Sequence, residues 1–310
     1  MRRSAVRVLR RAARIVNFGF YAAAGFTTDP AAVNRAERRL ASLGHGVVRD
    51  PTVDTRLQRF AGSDDERLAA IERMTVNPHI DVACAVRGGY GWTRLLDRID
   101  YAQVARAKTR WLGHSDFTGF QLAALAKARL VTFGGPMAAY DFGAEHPSAF
   151  TFEQCFGVLG SPTWEVEVPL DGPEPASHAG VLWGGNLALV AHLCGTPFMP
   201  DIAGGILVLE DVGEHPYRVE RMLYQLVHAG IFARQRAVLL GAFTEYALTP
   251  NDDGYDLAAA VGHLRQRLSV PIYTGLPFGH VRDKLTLPIG GRCAMQVAAG
   301  RACFTFSDYS

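Results

Sequence analysis

The stretch Ile80-Asp81-Val82-Ala83-Cys84-Ala85-Val86-Arg87-Gly88-Gly89-Tyr90-Gly91 decides the fold. Its first seven residues read as a strand buried on both faces, and that strand runs straight into a glycine-rich turn. Downstream the pattern repeats. Arg110-Trp111-Leu112-Gly113 is a second short strand, ending at His114-Ser115-Asp116, and Phe117–Arg129 carries a helical pattern. Upstream, Pro30–Leu43 reads as a helix with proline at its start and Gly44 as its stop. His45–Val48 is a short strand, and Asp64–Met74 is a helix whose acidic first turn suits the positive end of the helix dipole. Strands alternating with helices in this way predict an α/β domain, a parallel sheet wrapped by helices.

The ends of the chain differ from this middle. Met1–Arg14 holds six arginines and leads into an apolar run, a pattern that raises a signal peptide. Arginines run through the whole segment, and Asn17 and Gly19 interrupt the apolar part, so a first strand near Ala13–Phe20 behind a basic leader is the better reading. Prolines 162, 169, 173 and 175 with Gly172 mark Ser161–Ser177 as a linker or exposed hairpin. Beyond it, apolar pieces at 180–183, 206–209, 237–241, 271–274 and 295–298, with one helix at 218–229, predict a mixed, β-rich second domain. The expected division is residues 1–165 and 166–310.

At 310 residues the chain exceeds what one core usually serves, and 48% hydrophobic with 20% charged side chains excludes wholesale disorder. Thirty-two basic against thirty acidic side chains leave +2, too balanced to imply a nucleic-acid partner. No run of about eighteen apolar residues predicts a membrane span. Five scattered cysteines, without a CxxC pair, point to a reducing compartment rather than a disulfide framework.

Chemistry has three places to sit. Ser115 lies between a strand and a helix, where a tight turn exposes a hydroxyl and free amides face a developing oxyanion. Phe117 stands where the second glycine of a G-x-S-x-G elbow would be, and a serine that merely caps the helix fits the same letters. Gly88, Gly89 and Gly91 let the backbone approach a ligand closely, or simply make a packing turn. The third place is spread over the second half: Glu210-Asp211 at a strand end and Gly279-His280 after Gly275-Leu276-Pro277-Phe278. A serine nucleophile needs a base and the base an orienting acid. Spacing alone does not choose His280 over His114, His146 or His228. Glu210, Asp211, Glu214 and His215 lack metal-ligand spacing, so no metal and no cofactor is expected.

Five blocks in order resemble the LD-carboxypeptidase (muramoyltetrapeptide carboxypeptidase) family of serine peptidases. They are Arg87–Gly91, Gly113–Asp116, Gly184-Gly185-Asn186-Leu187, Leu209–Asp211 with Glu214–Leu223, and Gly275–His280. The resemblance implies a Ser115–Glu210–His280 triad. It also implies an N-terminal domain like the class I glutamine amidotransferases and a swivelling β-rich C-terminal domain. The implied enzyme is cytoplasmic and homodimeric, and removes the terminal D-alanine from murein tetrapeptides at an L,D-peptide bond. On that reading the amides of Asp116, Gly88 and Gly89 meet the oxyanion, the Asp116 carboxylate serves the helix dipole, and Arg87 recognises a terminal carboxylate. One departure stands out: Asn17-Phe18-Gly19-Phe20-Tyr21 replaces the Pro-Ser-like turn that often follows the family's first strand. The rival expectations are a microcin-immunity relative hydrolysing acyl-sulfamoyl nucleotides, and a non-catalytic murein-peptide-binding protein. An amidotransferase would want cysteine at position 115.

Overall fold

The computed structural model describes residues 15–309; the arginine leader and the Ala13–Arg14 start of the expected strand lie outside them. The chain runs β1 (Asn17–Tyr21), α1 (Pro30–Ser42), β2 (Gly46–Arg49), α2 (Asp64–Val76), β3 (Val82–Ala85), α3 (Tyr101–Arg106), β4 (Arg110–Gly113), α4 (Thr118–Ala128), β5 (Thr132–Gly134) and α5 (Ala149–Gly160). It continues through β6 (Trp164–Pro169), β7 (Ala176–Asn186), α6 (Leu187–Leu193), β8 (Ile206–Val212), α7 (Pro216–His228), β9 (Ala237–Thr244), α8 (Leu257–Arg267) and β10 (Ile272–Thr274). The last strands are β11 (Leu287–Ile289), β12 (Arg292–Ala298) and β13 (Arg301–Ser307).

Two sheets result. The first has the order β11-β5-β4-β3-β1-β2, parallel except for β11, which returns from the second half of the chain to pair antiparallel with β5. Its middle strands are apolar on both faces because helices cover both, and all four residues of β3 are buried. The glycine loop and the serine turn follow β3 and β4, which are neighbours, so both emerge at the carboxyl edge, where such sheets bind ligands. Helix α4 is buried throughout Thr118–Leu125 and packs against both β5 and β7, which explains why it is apolar around most of its circumference.

The second sheet has the order β10-β9-β8-β7-β12-β13-β6. Strand β7 serves two neighbours: its first part pairs antiparallel with β12 and its last five residues pair parallel with β8. The proline-rich stretch is a correction to the sequence reading. It holds β6, which pairs with β13 at the sheet edge instead of forming a hairpin with β7. Trp164-Glu165-Val166-Glu167-Val168 alternates apolar and charged side chains, with Val166 and Val168 buried. That period of two is a strand signal, and Pro169 is tolerated because the strand lies at an edge.

Candidate active site

Ser115 opens a single 3₁₀ turn between β4 and α4 and sits at φ +65°, a left-handed conformation that costs a non-glycine residue about 1–2 kcal/mol. Its hydroxyl does not cap the helix. It lies 3.0 Å from His280 Nε2. His280 Nδ1 lies 2.8 Å from Glu210 Oε2. A carboxylate oxygen accepts, so Nδ1 carries the proton and the Nε2 lone pair faces the serine.

Each partner is delivered by its own piece of the fold. Glu210 lies near the end of β8, fully buried, and its other oxygen, Oε1, has no protein partner among the described residues. His280 arrives on the loop after β10. The preceding residue must be glycine: Gly279 adopts φ +119°, and a Cβ there would lie 2.8 Å from Glu210 Oε2. The Gly184–Leu187 block fastens β7 to α4, the helix that follows Ser115, since the Asn186 amide donates to Thr118 Oγ1 at 3.0 Å. The Asn186 side chain donates to Asp211 at 2.9 Å, and the Ala188 amide does so at the same distance. Burial pushes Asp211 up to about 6 against the pull of those donors.

Ser115 and His280 open into a cavity of about 470 Å³, with Glu210 buried behind the imidazole. Arg87, Gly88, Gly89, Tyr140, Glu245 and Lys284 are among its lining residues. Arg87 donates to the Phe26 carbonyl at 2.9 Å, lies 6.0 Å from the Tyr140 ring centre, and makes no ion pair among the described residues. Lys284 and Asp141 form a buried ion pair at 2.7 Å, and Asp141 also accepts from the Met137 amide. His114 is not the histidine that meets Ser115. Its Nδ1 lies 2.8 Å from the Gly135 carbonyl oxygen, and its ring packs edge-on against His280 with centres 5.1 Å apart. Burial, then the charges of Lys284 and His280, hold its imidazole well below the usual histidine range, so it stays neutral.

Gly88 packs against Ser115. A Cβ built on it would lie 2.7 Å from Ser115 Cβ and 2.9 Å from Oγ. The conflict lies with Ser115 and the neighbouring His114 carbonyl oxygen, at 3.1 Å, and not with the backbone conformation, because Gly88 has no positive φ. Gly88→Ala is therefore expected to fold with a loss of about 1–3 kcal/mol, the cost of overpacking a buried site, too little to unfold the chain. Displacing the hydroxyl by even about 1 Å costs roughly a hundredfold in turnover. Steady-state rates beside a melting curve check this, and wild-type turnover would show that Ser115 needs no such close neighbour.

Asp116 stands in the first turn, as the sequence reading has it, and its carboxylate also ties a loop. Its carboxylate is turned away from the cavity and accepts from the Trp92 amide at 3.0 Å and from the Gly91 amide. Burial raises it to about 6 against those two donors and the nearby charge of Arg67. Nothing in the sequence marks Arg67. On an amphipathic helix opened by acids an arginine reads as solvent-facing, yet this one is wholly buried.

The comparisons follow this geometry. A family model described as LD-carboxypeptidase N-terminal domain matches residues 19–135, and one described as LD-carboxypeptidase C-terminal domain matches residues 179–295. The probable murein peptide carboxypeptidase of Bacillus subtilis is 30% identical over 273 residues, 87% of this chain and 86% of that one. The murein tetrapeptide carboxypeptidase of Pseudomonas aeruginosa is 32% identical over 255 residues, 79% of this chain and 81% of its own. The crystal structure of muramoyltetrapeptide carboxypeptidase from Oxalobacter formigenes superposes with TM-score 0.89 at 44% identity, covering 95% of this chain and 99% of that one. A microcin C7 self-immunity protein superposes with TM-score 0.87 at 23% identity, covering 95% and 97%, a likeness of fold.

Proposed function

The chain belongs to the LD-carboxypeptidase family, and from that premise we propose that it removes the terminal D-alanine from murein tetrapeptides through a Ser115–His280–Glu210 triad. The observation that carries this reading is the unbroken chain from Ser115 Oγ through His280 to Glu210, with both links at hydrogen-bond length. His280 takes the serine proton as Oγ attacks the carbonyl of the diamino acid's L-centre. Glu210 holds the tautomer and balances the imidazolium that forms. D-Alanine leaves with the proton from His280, and water, activated by the same imidazole, releases the shortened peptide. The amides of Gly88, Gly89 and Asp116 are assigned to the tetrahedral oxygen, which the contact of Gly88 with Ser115 supports. The assignment keeps two parts, with the serine in one and its partners in the other, and moves their boundary from 165/166 to just before β6, which 165/166 would cut.

Of the cavity's lining cations, Arg282 and Lys284 are paired with Asp283 and Asp141, which leaves Arg87 for a substrate anion. Arg56, Arg59 and Arg87 make no ion pair among the described residues, and each lies within 6.0 Å of an aromatic ring centre. Arg87, the one that lines the cavity, is assigned to the substrate's terminal carboxylate. Losing a charged hydrogen bond of this kind costs about 1.5–3 kcal/mol. Arg87→Ala is accordingly expected to raise KM for the tetrapeptide about ten- to a hundredfold with a smaller effect on kcat, and unchanged steady-state constants would remove the assignment. The reading carries a cytoplasmic setting, which the five unpaired cysteines support, and a homodimer on the family resemblance. Among the described residues no helix is long and apolar enough to cross a membrane.

Incubating the purified chain with murein tetrapeptide and following its mass tests the proposal, with loss of one alanine as the expected result. Failure on every L,D-linked peptide, with cleavage of an aspartyl sulfamoyl nucleotide instead, would move the substrate to the immunity branch.

A further inference from the structure

The glycines of the Arg87–Gly91 loop have no side chains with which to hold their backbone against Ser115, and among the described residues Arg87 ties its own end of the loop only to the Phe26 carbonyl. The loop's start is tied at the Gly88 carbonyl, which accepts from the Gly25 amide at 3.1 Å. Its end is gripped by two buried ions that do not line the catalytic cavity. Arg67 of α2, fully inaccessible to solvent, donates from Nη1 to the carbonyl oxygens of Ala23 at 2.7 Å and Gly91 at 3.0 Å. Its Nη2 pairs with Asp64, and its guanidinium lies 4.8 Å from the Phe60 ring centre. Asp116, next in sequence to the nucleophile, accepts from the amides of Gly91 and Trp92. One peptide segment is thus held through its carbonyl by a cation and through its amides by an anion.

Burying two charges is expensive, and a buried ion pair contributes little net stability compared with an apolar replacement. A role in placing the loop accounts for both charges being kept. We propose that Arg67 and Asp116 are positioning residues for the hydrolysis, which fix the Arg87–Gly91 loop at the distance from Ser115 where its amides meet the developing oxyanion. The inference rests on the serine-hydrolase reading above. Because Asp116 is covalently adjacent to Ser115, the carboxylate makes the nucleophile turn and the oxyanion loop one rigid unit.

The test uses the full chain with Asp116→Ala, Asp116→Asn, Arg67→Met and Arg67→Lys. Two rates are measured for each: kcat and KM on murein tetrapeptide, and phosphonylation of Ser115 by a fluorophosphonate, followed by intact mass. The second needs no peptide substrate, yet its phosphonyl oxygen occupies the oxyanion position. Loss of an oxyanion donor costs about a hundred- to a thousandfold. Asp116→Ala and Arg67→Met are expected to slow both rates about a hundredfold while KM moves less than about threefold. Asp116→Asn keeps one acceptor, and Arg67→Lys keeps the charge, so each is expected to recover about tenfold. Where the Ala and Met variants fail to fold, the Asn and Lys variants carry the test, with rates about tenfold below wild type at unchanged KM. Wild-type rates in folded variants, KM rising as far as kcat falls, or Asn behaving no better than Ala would overturn the positioning role. Wild-type protein that is phosphonylated but releases no alanine discards the substrate and leaves the clamp to be judged on phosphonylation. Wild-type protein that does neither discards both.

Discussion

Ser115→Ala is expected to lower kcat for alanine release about a millionfold, the scale on which a triad acts as a unit. Without the hydroxyl no acyl-enzyme forms, and what remains is substrate positioning and the oxyanion amides, which together sustain about 10³–10⁴ over the uncatalysed reaction. The geometry adds a second expectation that separates a nucleophile from a structural serine. The residue is held at φ +65°, where glycine sits without strain, and its hydroxyl is spent on His280 instead of a helix cap. Ser115→Gly is therefore expected to unfold at no lower temperature than wild type while being equally inactive. Mass-spectrometric release of D-alanine and a melting curve on both variants check the pair. Activity above about one per cent in Ser115→Ala removes the nucleophile.

The parallel sheet was legible because β3, β4 and their glycine and serine turns have an apolar run followed at once by turn chemistry. What stayed open was pairing at a distance. Ser115 and His280 are 165 positions apart. Their meeting depends on β7 lying beside β8 and on α4 packing beneath β7, and no local pattern encodes either. With ten histidines in the chain, letters alone left His114 as plausible a base as His280, and only the hydrogen bond to Gly135 and burial take His114 out of that role. Strand β11 is too short, at three residues, to announce that it crosses back to the first sheet. Strand β6 was readable from its alternation, but the flanking prolines obscured it. Arg67 and Asp116 defeated sequence reading for a different reason: burial of a charge is a tertiary fact, and each has an unremarkable place on a helix surface or helix start.

Glu210→Gln gives the next largest expected loss, about ten-thousandfold in kcat, the scale on which a triad acid acts when replaced by its amide. The variant is nearly isosteric, so geometry survives and chemistry does not. If the amide NH₂ faces His280, it donates to Nδ1, moves the imidazole proton to Nε2, and leaves nothing to accept the serine proton. If the amide oxygen faces His280 instead, the tautomer is kept, but the NH₂ falls where Glu210 Oε1 has no partner, and the imidazolium loses its counter-charge. Either orientation fails. Stability should move the other way, because the native carboxylate is fully buried with one oxygen unpaired among the described residues, an arrangement that costs folding free energy. Glu210→Gln is accordingly expected to melt at or above the wild-type temperature while losing turnover, the pattern of a group kept for catalysis at the expense of stability. A variant that melts well below wild type and keeps turnover within about tenfold would make Glu210 a packing residue and leave His280 without its acid.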